Sequence, residues 1–259
     1  ASDGARPHLP GLLAPKYRVT DTGIPDGLDA TRRARLDAAH AWKAFKSSSL
    51  SSFAFVDTMG LFFARSLFRD AFSTTTPKVE AHRLDHPERA GLKDLEDRTR
   101  RPRITGRVDG TPISAEERCQ IAEGLLRTMG LTRSFARVVL LVGHGSETKN
   151  NAHASGLDCG ACCGQPGDVN ARAAAALLND ADIRAGLVAR GIDIPEATLF
   201  VGALHNTTTD EVTLFDEGAT SHQSDLADLQ VILDRASVTT RRERAPRLGL
   251  GDLSDAKLH

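Results

Sequence analysis

Val138-Val139-Leu140-Leu141-Val142 runs without interruption into Gly143-His144-Gly145-Ser146. Five apolar residues, three of them β-branched, make the pattern of a strand buried on both faces, where no position has to meet water. A glycine-dense loop follows to Gly167, and Asn170 can cap a helix from Ala171 to about Leu178. A second helical stretch reaches Arg190, with Gly191 as its stop signal. Thr198–Gly202 and Val212–Phe215 read as two further strands. Strand, loop, helix, strand is the grammar of an α/β layered domain with parallel strands.

Outward from this core, Ser114-Ala115-Glu116-Glu117 has the form of a capping box. The helix it opens should run to about Met129 and stop at Gly130, burying Ile121, Leu125 and Leu126 with Cys119 as a small core residue. Residues 222–245 read as a last helix with an Arg-rich end. Residues 1–28 hold four of the eleven prolines and read as an extended arm. Asp29 to Phe45 has helical spacing, and Phe53-Ala54-Phe55-Val56 precedes a broad apolar helix from Met59 to Phe72 that suits a core or a partner. From Ser73 to Gly110 the chain is polar, with Arg98, Arg100, Arg101, Arg103 and Arg107 close together, as in a solvated linker or a partner-binding loop. The expected division is therefore 1–110, a helical and Arg-rich embellishment with its N-terminal arm, and 111–259, the α/β portion.

Composition narrows the function classes. Acids outnumber bases by 34 to 33, so there is no basic surplus for a dedicated nucleic-acid binder. Hydrophobic residues at 40% and a mean hydropathy of −0.27 fit an ordinary soluble chain with a core. The longest apolar stretches are broken by Asp57, Arg65 and Arg69, well short of the roughly 18 apolar residues of a spanning helix. Neither a signal peptide nor a long disordered tail is evident. A start at Ala1 and an end at Ala256-Lys257-Leu258-His259 read as a piece of something longer. Cys159, Cys162 and Cys163 lie too close together to staple distant parts of a fold, so metal binding or thiol chemistry is the better reading.

Chemistry belongs beyond the carboxyl ends of the strands, where loops and helix N-termini converge. His144 sits one glycine past the first strand, Cys159 fifteen residues later, and His205 after the next strand. The segment from Gly143 to Gly167 holds six glycines in 25 residues, so ordering it costs entropy that a bound ion can offset. Thiolate and imidazole are the usual zinc pair. Cys159-x-x-Cys162 alone is equally compatible with a redox pair or half a zinc ribbon, and a lone histidine after a strand is often structural. Neither a phosphate-binding glycine fingerprint nor a Gly-x-Ser-x-Gly elbow is present.

Gly143-His144-Gly145-Ser146, Asn150-Asn151, Leu157-Asp158-Cys159-Gly160-Ala161-Cys162-Cys163-Gly164 and Asn170-Ala171-Arg172 together resemble the DabA family. Phe53–Asp57 and Leu199–Thr209 extend the resemblance over nearly the whole chain. Members of that family are cytoplasmic subunits of energy-coupled inorganic carbon accumulation complexes. The resemblance implies a β-carbonic-anhydrase-like core with helical N-terminal embellishment and a zinc site of two cysteines, one histidine and an aspartate. His144 and Cys159 match two of those ligands. The other Cys and the Asp come in the family from an upstream Cys-x-Asp-x-Arg motif that this sequence lacks, since Cys119 is followed by Gln120-Ile121.

The implied reaction is CO2 hydration to bicarbonate at Zn2+, the metal lowering the pKa of bound water toward about 7. The implied partner is a membrane antiporter-like subunit of the DabB type, and the implied location is the cytoplasmic face of the cell membrane, held peripherally. Two other readings stay open: a non-catalytic scaffold that docks a membrane partner through Phe53–Phe72 and Arg98–Arg107, and a zinc-free thiol oxidoreductase with an acidic thiol at Cys159 or Cys162.

Overall fold

The computed structural model describes residues 16–21, 37–38, 41, 101–146, 156–157, 166–215 and 220–254. The chain divides into two compact units, one of residues 1–23 with 100–259 and one of residues 24–99. In the second unit Asp37, Ala38 and Ala41 are helical, within the helix expected over Asp29–Phe45. The expected segments Phe53–Val56 and Met59–Phe72 lie outside the described residues, as do Cys159, Cys162 and Cys163.

The larger unit is mixed α/β. Strand β1 (Tyr17–Asp21) pairs antiparallel with β2 (Pro102–Arg107). Helix α1 (Ala115–Thr128) leads to β3 (Val138–Gly145), then α2 (Asp168–Leu178), α3 (Ala181–Val188), β4 (Leu199–Asn206), β5 (Val212–Phe215) and α4 (Gln223–Arg244). The second sheet has the order β3-β4-β5, with β3 and β4 parallel and β5 antiparallel to β4. The parallel pair is the one expected from the apolar run at Val138. The third strand turns back because only five residues separate it from β4, too few for a parallel crossover.

Strand β2 corrects the reading of residues 73–110 as linker over its own six residues. Pro102 and Gly106 are buried, and the strand packs against α2. Its partner lies 85 residues away, measured from Thr20 to Thr105, so no local periodicity announces the pairing.

Helix α1 starts as expected. The Ser114 Oγ accepts from the Glu117 amide at 3.1 Å, while the Glu117 carboxylate takes Arg107 at 2.9 Å and so ties the helix to β2. At its end Gly130 has φ of +68°, and the Leu131 amide donates to the Leu126 carbonyl. Helix α2 starts three residues before the expected position, capped by Gly167, with no side-chain cap; Asn170 lies exposed in the first turn. The cause is a backbone contact. The Gly167 amide donates to the His144 carbonyl at 2.8 Å, and a Cβ on Gly143 would lie 2.3 Å from the Gly167 carbonyl.

Helix α2 lies across β3 and β4, where the Cβ that Gly202 lacks would sit 2.8 Å from the Arg172 backbone. The core joins Cys119, Ala122 and Leu126 of α1 to Leu178, Ile183, Leu187, Ile192 and Phe200. Cys119 is the small buried residue expected, its Sγ set against Gly186 of α3. Arg190 clamps α1 from outside this core, pairing with Glu116 and, at 2.5 Å, with Glu123.

Two expected outcomes follow from this packing. Gly143→Ala should lower stability to chemical denaturation by about 2 kcal/mol or more, because backbone on both sides must move. Gly124→Ala, in an open stretch of α1 with nothing near the added carbon, should raise it by roughly 0.5–1 kcal/mol. The Arg190 clamp predicts a pH dependence. The hydrogen bond from Arg190 holds the Glu116 carboxyl below its ordinary value, and bonds from Arg127 and Arg190 do the same for Glu123. Their stabilisation is complete above the unfolded carboxylate range of about 4.3 and fades as pH falls through the lowered folded values. Arg190→Leu should flatten that acid limb in denaturation measured from pH 6 downward.

Candidate functional site

The carboxyl ends of β3 and β4 bring two histidines together. In the parallel register His144 stands opposite His205, and Gly145 opposite Asn206. Side chains at paired positions of neighbouring parallel strands point to the same face, on strands about 4.8 Å apart. Gly143 and Gly202 face α2, so His144 and His205 project from the other face. His205 was expected in the loop after the strand. It lies inside β4 instead, because the pairing with β3 continues to Asn206.

His144 is exposed, and its ring has no hydrogen-bond partner among the described residues. Its backbone is held from two sides. The flanking Gly145 carbonyl accepts from the Thr207 amide at 2.8 Å, and the His144 carbonyl accepts from Gly167. The imidazole is therefore free while its Cα is fixed, as suits a ligand waiting for an ion or a partner group.

His205 is held differently. Its Nε2 lies 3.6 Å from the Asp210 Oδ1, within ion-pair reach when the ring is protonated. Asp210 is 8% exposed with φ of +59°, a left-handed position that aspartate tolerates better than most residues. Arg244 of α4 pairs with its other carboxylate oxygen, and the Ser237 hydroxyl donates to its carbonyl. The turn is closed by the Asn206 Oδ1, which accepts from the Thr208 hydroxyl at 2.6 Å, and Arg241 donates to the Thr209 carbonyl. The Arg-rich end of the last helix thus acts as a clamp on the turn that follows β4. Asp210 and Arg244 were not singled out in the sequence, where neither belongs to a motif.

Cys159 lies outside the described residues, but its loop does not depart at random. The chain leaves β3 at Ser146, which is 4% exposed, and returns at Gly167, whose amide bonds His144. At the return point the Oδ1 of Asp168 is buried with no hydrogen-bond partner, an acceptor without a donor at the mouth of a loop rich in thiols. Among the described residues no group of three or more His, Cys, Asp or Glu side chains is placed to hold a metal. One exposed histidine beside the closure of a cysteine-bearing loop fits part of a zinc donor set and is too little for a whole one.

The fold and this edge define an α/β protein with a histidine pair at the carboxyl end of its parallel strands. A family model described as "Probable inorganic carbon transporter subunit DabA" matches residues 1–259. A relative of that description from Bradyrhizobium sp. (strain ORS 278) is 44% identical over 97% of this chain and 31% of its own length. Another, from Acidithiobacillus ferrooxidans, is 43% identical over 96% of this chain and 31% of its own. A third, from Halothiobacillus neapolitanus, is 44% identical over 93% and 28%. The chain belongs to the DabA family, and it spans about a third of the length of the curated relatives it matches. No solved structure matches it.

Arg244→Ala should leave the Asp210 carboxylate buried without its cation and cost about 1–3 kcal/mol in thermal or chemical unfolding. Arg244→Lys should recover part of that loss, since a single ammonium reaches one acceptor where the guanidinium reaches Asp210 and the Thr207 carbonyl together.

Proposed function

We propose that this chain supplies half of a zinc centre, His144 and Cys159, in a subunit that takes up inorganic carbon by converting CO2 to bicarbonate at a β-carbonic-anhydrase-like site. The observation that carries this reading is the closure of the loop: the segment bearing Cys159 begins and ends at His144, joined by the Gly167–His144 backbone bond. A closed loop confines its thiol to the neighbourhood of the free imidazole, which lowers the entropy of bringing the two to one ion. The family's printed description as an inorganic carbon transporter subunit supports the role in carbon uptake.

In this reading the remaining Cys and Asp ligands belong to the part of the longer protein not present in this sequence. Zinc, when bound, supplies the Lewis acidity that activates water for attack on CO2 near neutral pH. The residues described here do the holding. β4 and Gly167 fix the backbone of His144, so its ring is offered in one orientation. Asp210 and Arg244 hold the neighbouring His205 at the same edge, where it lines the site without closing it. The partner is a membrane antiporter-like subunit of the DabB type at the cytoplasmic face of the membrane. Consistent with peripheral attachment, no helix among the described residues is long and apolar enough to cross a membrane.

The test is metal analysis by mass spectrometry on the longer family protein carrying this chain. Stoichiometric zinc, lost on His144→Ala and on Cys159→Ala but kept on Cys119→Ala, is the expected result. Zinc retained in both ligand variants would overturn the assignment and leave the docking scaffold as the better reading.

A further inference from the structure

The outer edge of β3 is open where its sequence is most apolar. In a parallel ladder the backbone groups of alternate residues point to opposite neighbours. The Arg137 carbonyl accepts from the Leu199 amide, and the Gly145 carbonyl accepts from the Thr207 amide, so the odd-numbered residues of β3 turn toward β4. The even-numbered ones turn away, and the His144 carbonyl does so to meet Gly167. The outward N–H and C=O groups of Val138, Leu140 and Val142 consequently have no backbone partner among the described residues.

Natural edge strands are kept short, charged or interrupted by proline, because a row of unpaired amides invites pairing. Strand β3 has eight residues with no charge and no proline before His144. All of Val138–Leu141 are only half-buried, and Val142 is 51% exposed. Such a run belongs in the interior of a sheet, with a neighbour on each side. The relatives are about three times as long as this chain, so most of the protein lies outside it.

We propose that the edge of β3 is the docking site for a parallel strand contributed by the remainder of the longer protein, pairing with Val138, Leu140 and Val142. A parallel strand there ends beside His144, on the side away from His205. This inference rests on the reading of His144 as a ligand only for its consequence: the visiting strand would deliver its own terminal residues to the open flank of that imidazole. The pairing itself follows from the edge alone. The β4 side of His144 is already filled, so β3 has a single flank from which further ligands can reach it within the sheet.

The experiment is residue-resolved amide hydrogen exchange on the whole longer protein, comparing Leu140 and Val142 with their inward neighbours Val139 and Leu141. Strand docking predicts protection of the outward pair to within about tenfold of the inward pair. Exchange of Leu140 and Val142 roughly a hundredfold faster than Val139 and Leu141 would overturn it, since a helix or loop lying over the edge hides side chains without accepting those amides. Protection that disappears on dilution to the monomer would assign the edge to a second copy and also overturn it. Zinc content, measured on the same sample, separates the two claims. A protected edge without zinc keeps the docking strand and removes the metal reading, and zinc with a fast-exchanging edge does the reverse.

Discussion

Two backbones touching without side chains between them set the geometry on which the rest depends. Gly143 and Gly167 meet closely enough that a single added methyl carbon would fall inside the van der Waals radius of the opposing carbonyl. That contact brings the start of α2 down onto the end of β3 and makes the Gly167 amide available to the His144 carbonyl. It also sets where α2 crosses the sheet, and so where Arg172 meets Gly202. Any larger residue at either glycine would lift the helix, open the Cys159 loop and shift the histidine.

Arginine works here more as an internal tie than as surface charge. Arg184 donates to the Leu178, Pro195 and Thr198 carbonyls and to the Asn179 side chain, joining the ends of two helices to the start of β4. Its charge is met by neutral oxygens, and burial lowers its pKa from the usual range. Arg172, 1% exposed, lies with its guanidinium carbon 4.6 Å from the Phe215 ring centre on β5. The planar fork suits such work because several carbonyls can be held by one residue at little further entropic cost. A sequence with 33 basic residues and 34 acidic ones therefore has less free surface charge than its composition implies.

The candidate site was only partly legible. His144 stood out because a glycine-flanked histidine after an apolar run marks the carboxyl end of a strand, and the structure puts it there. His205 stood out for the wrong place: residue type suggested a loop, while the continued pairing with β3 makes it part of the strand. Asp210 gave no signal, since its importance comes from burial beside Arg244, 34 residues further on. Local pattern reports what a residue shares with its near neighbours in sequence, and none of these contacts is near in sequence.

Periodicity and punctuation alone determined the elements from Ser114 onward. The cap at Ser114, the stop at Gly130, the apolar run from Val138, the strand at Val212–Phe215 and the helix over 222–245 all appear close to where they were expected. These are short-range effects, in which backbone hydrogen bonds and apolar spacing within one turn or one strand suffice. Tertiary structure decided everything that needs a partner from afar: the β1–β2 pairing across 85 residues, the direction of β5, the early start of α2 and the meeting of His144 with His205. The physical reason is that register and strand direction are set by which backbones come together and how closely, and that is settled by glycines facing glycines and by loop length, well beyond the reach of a residue's own neighbours.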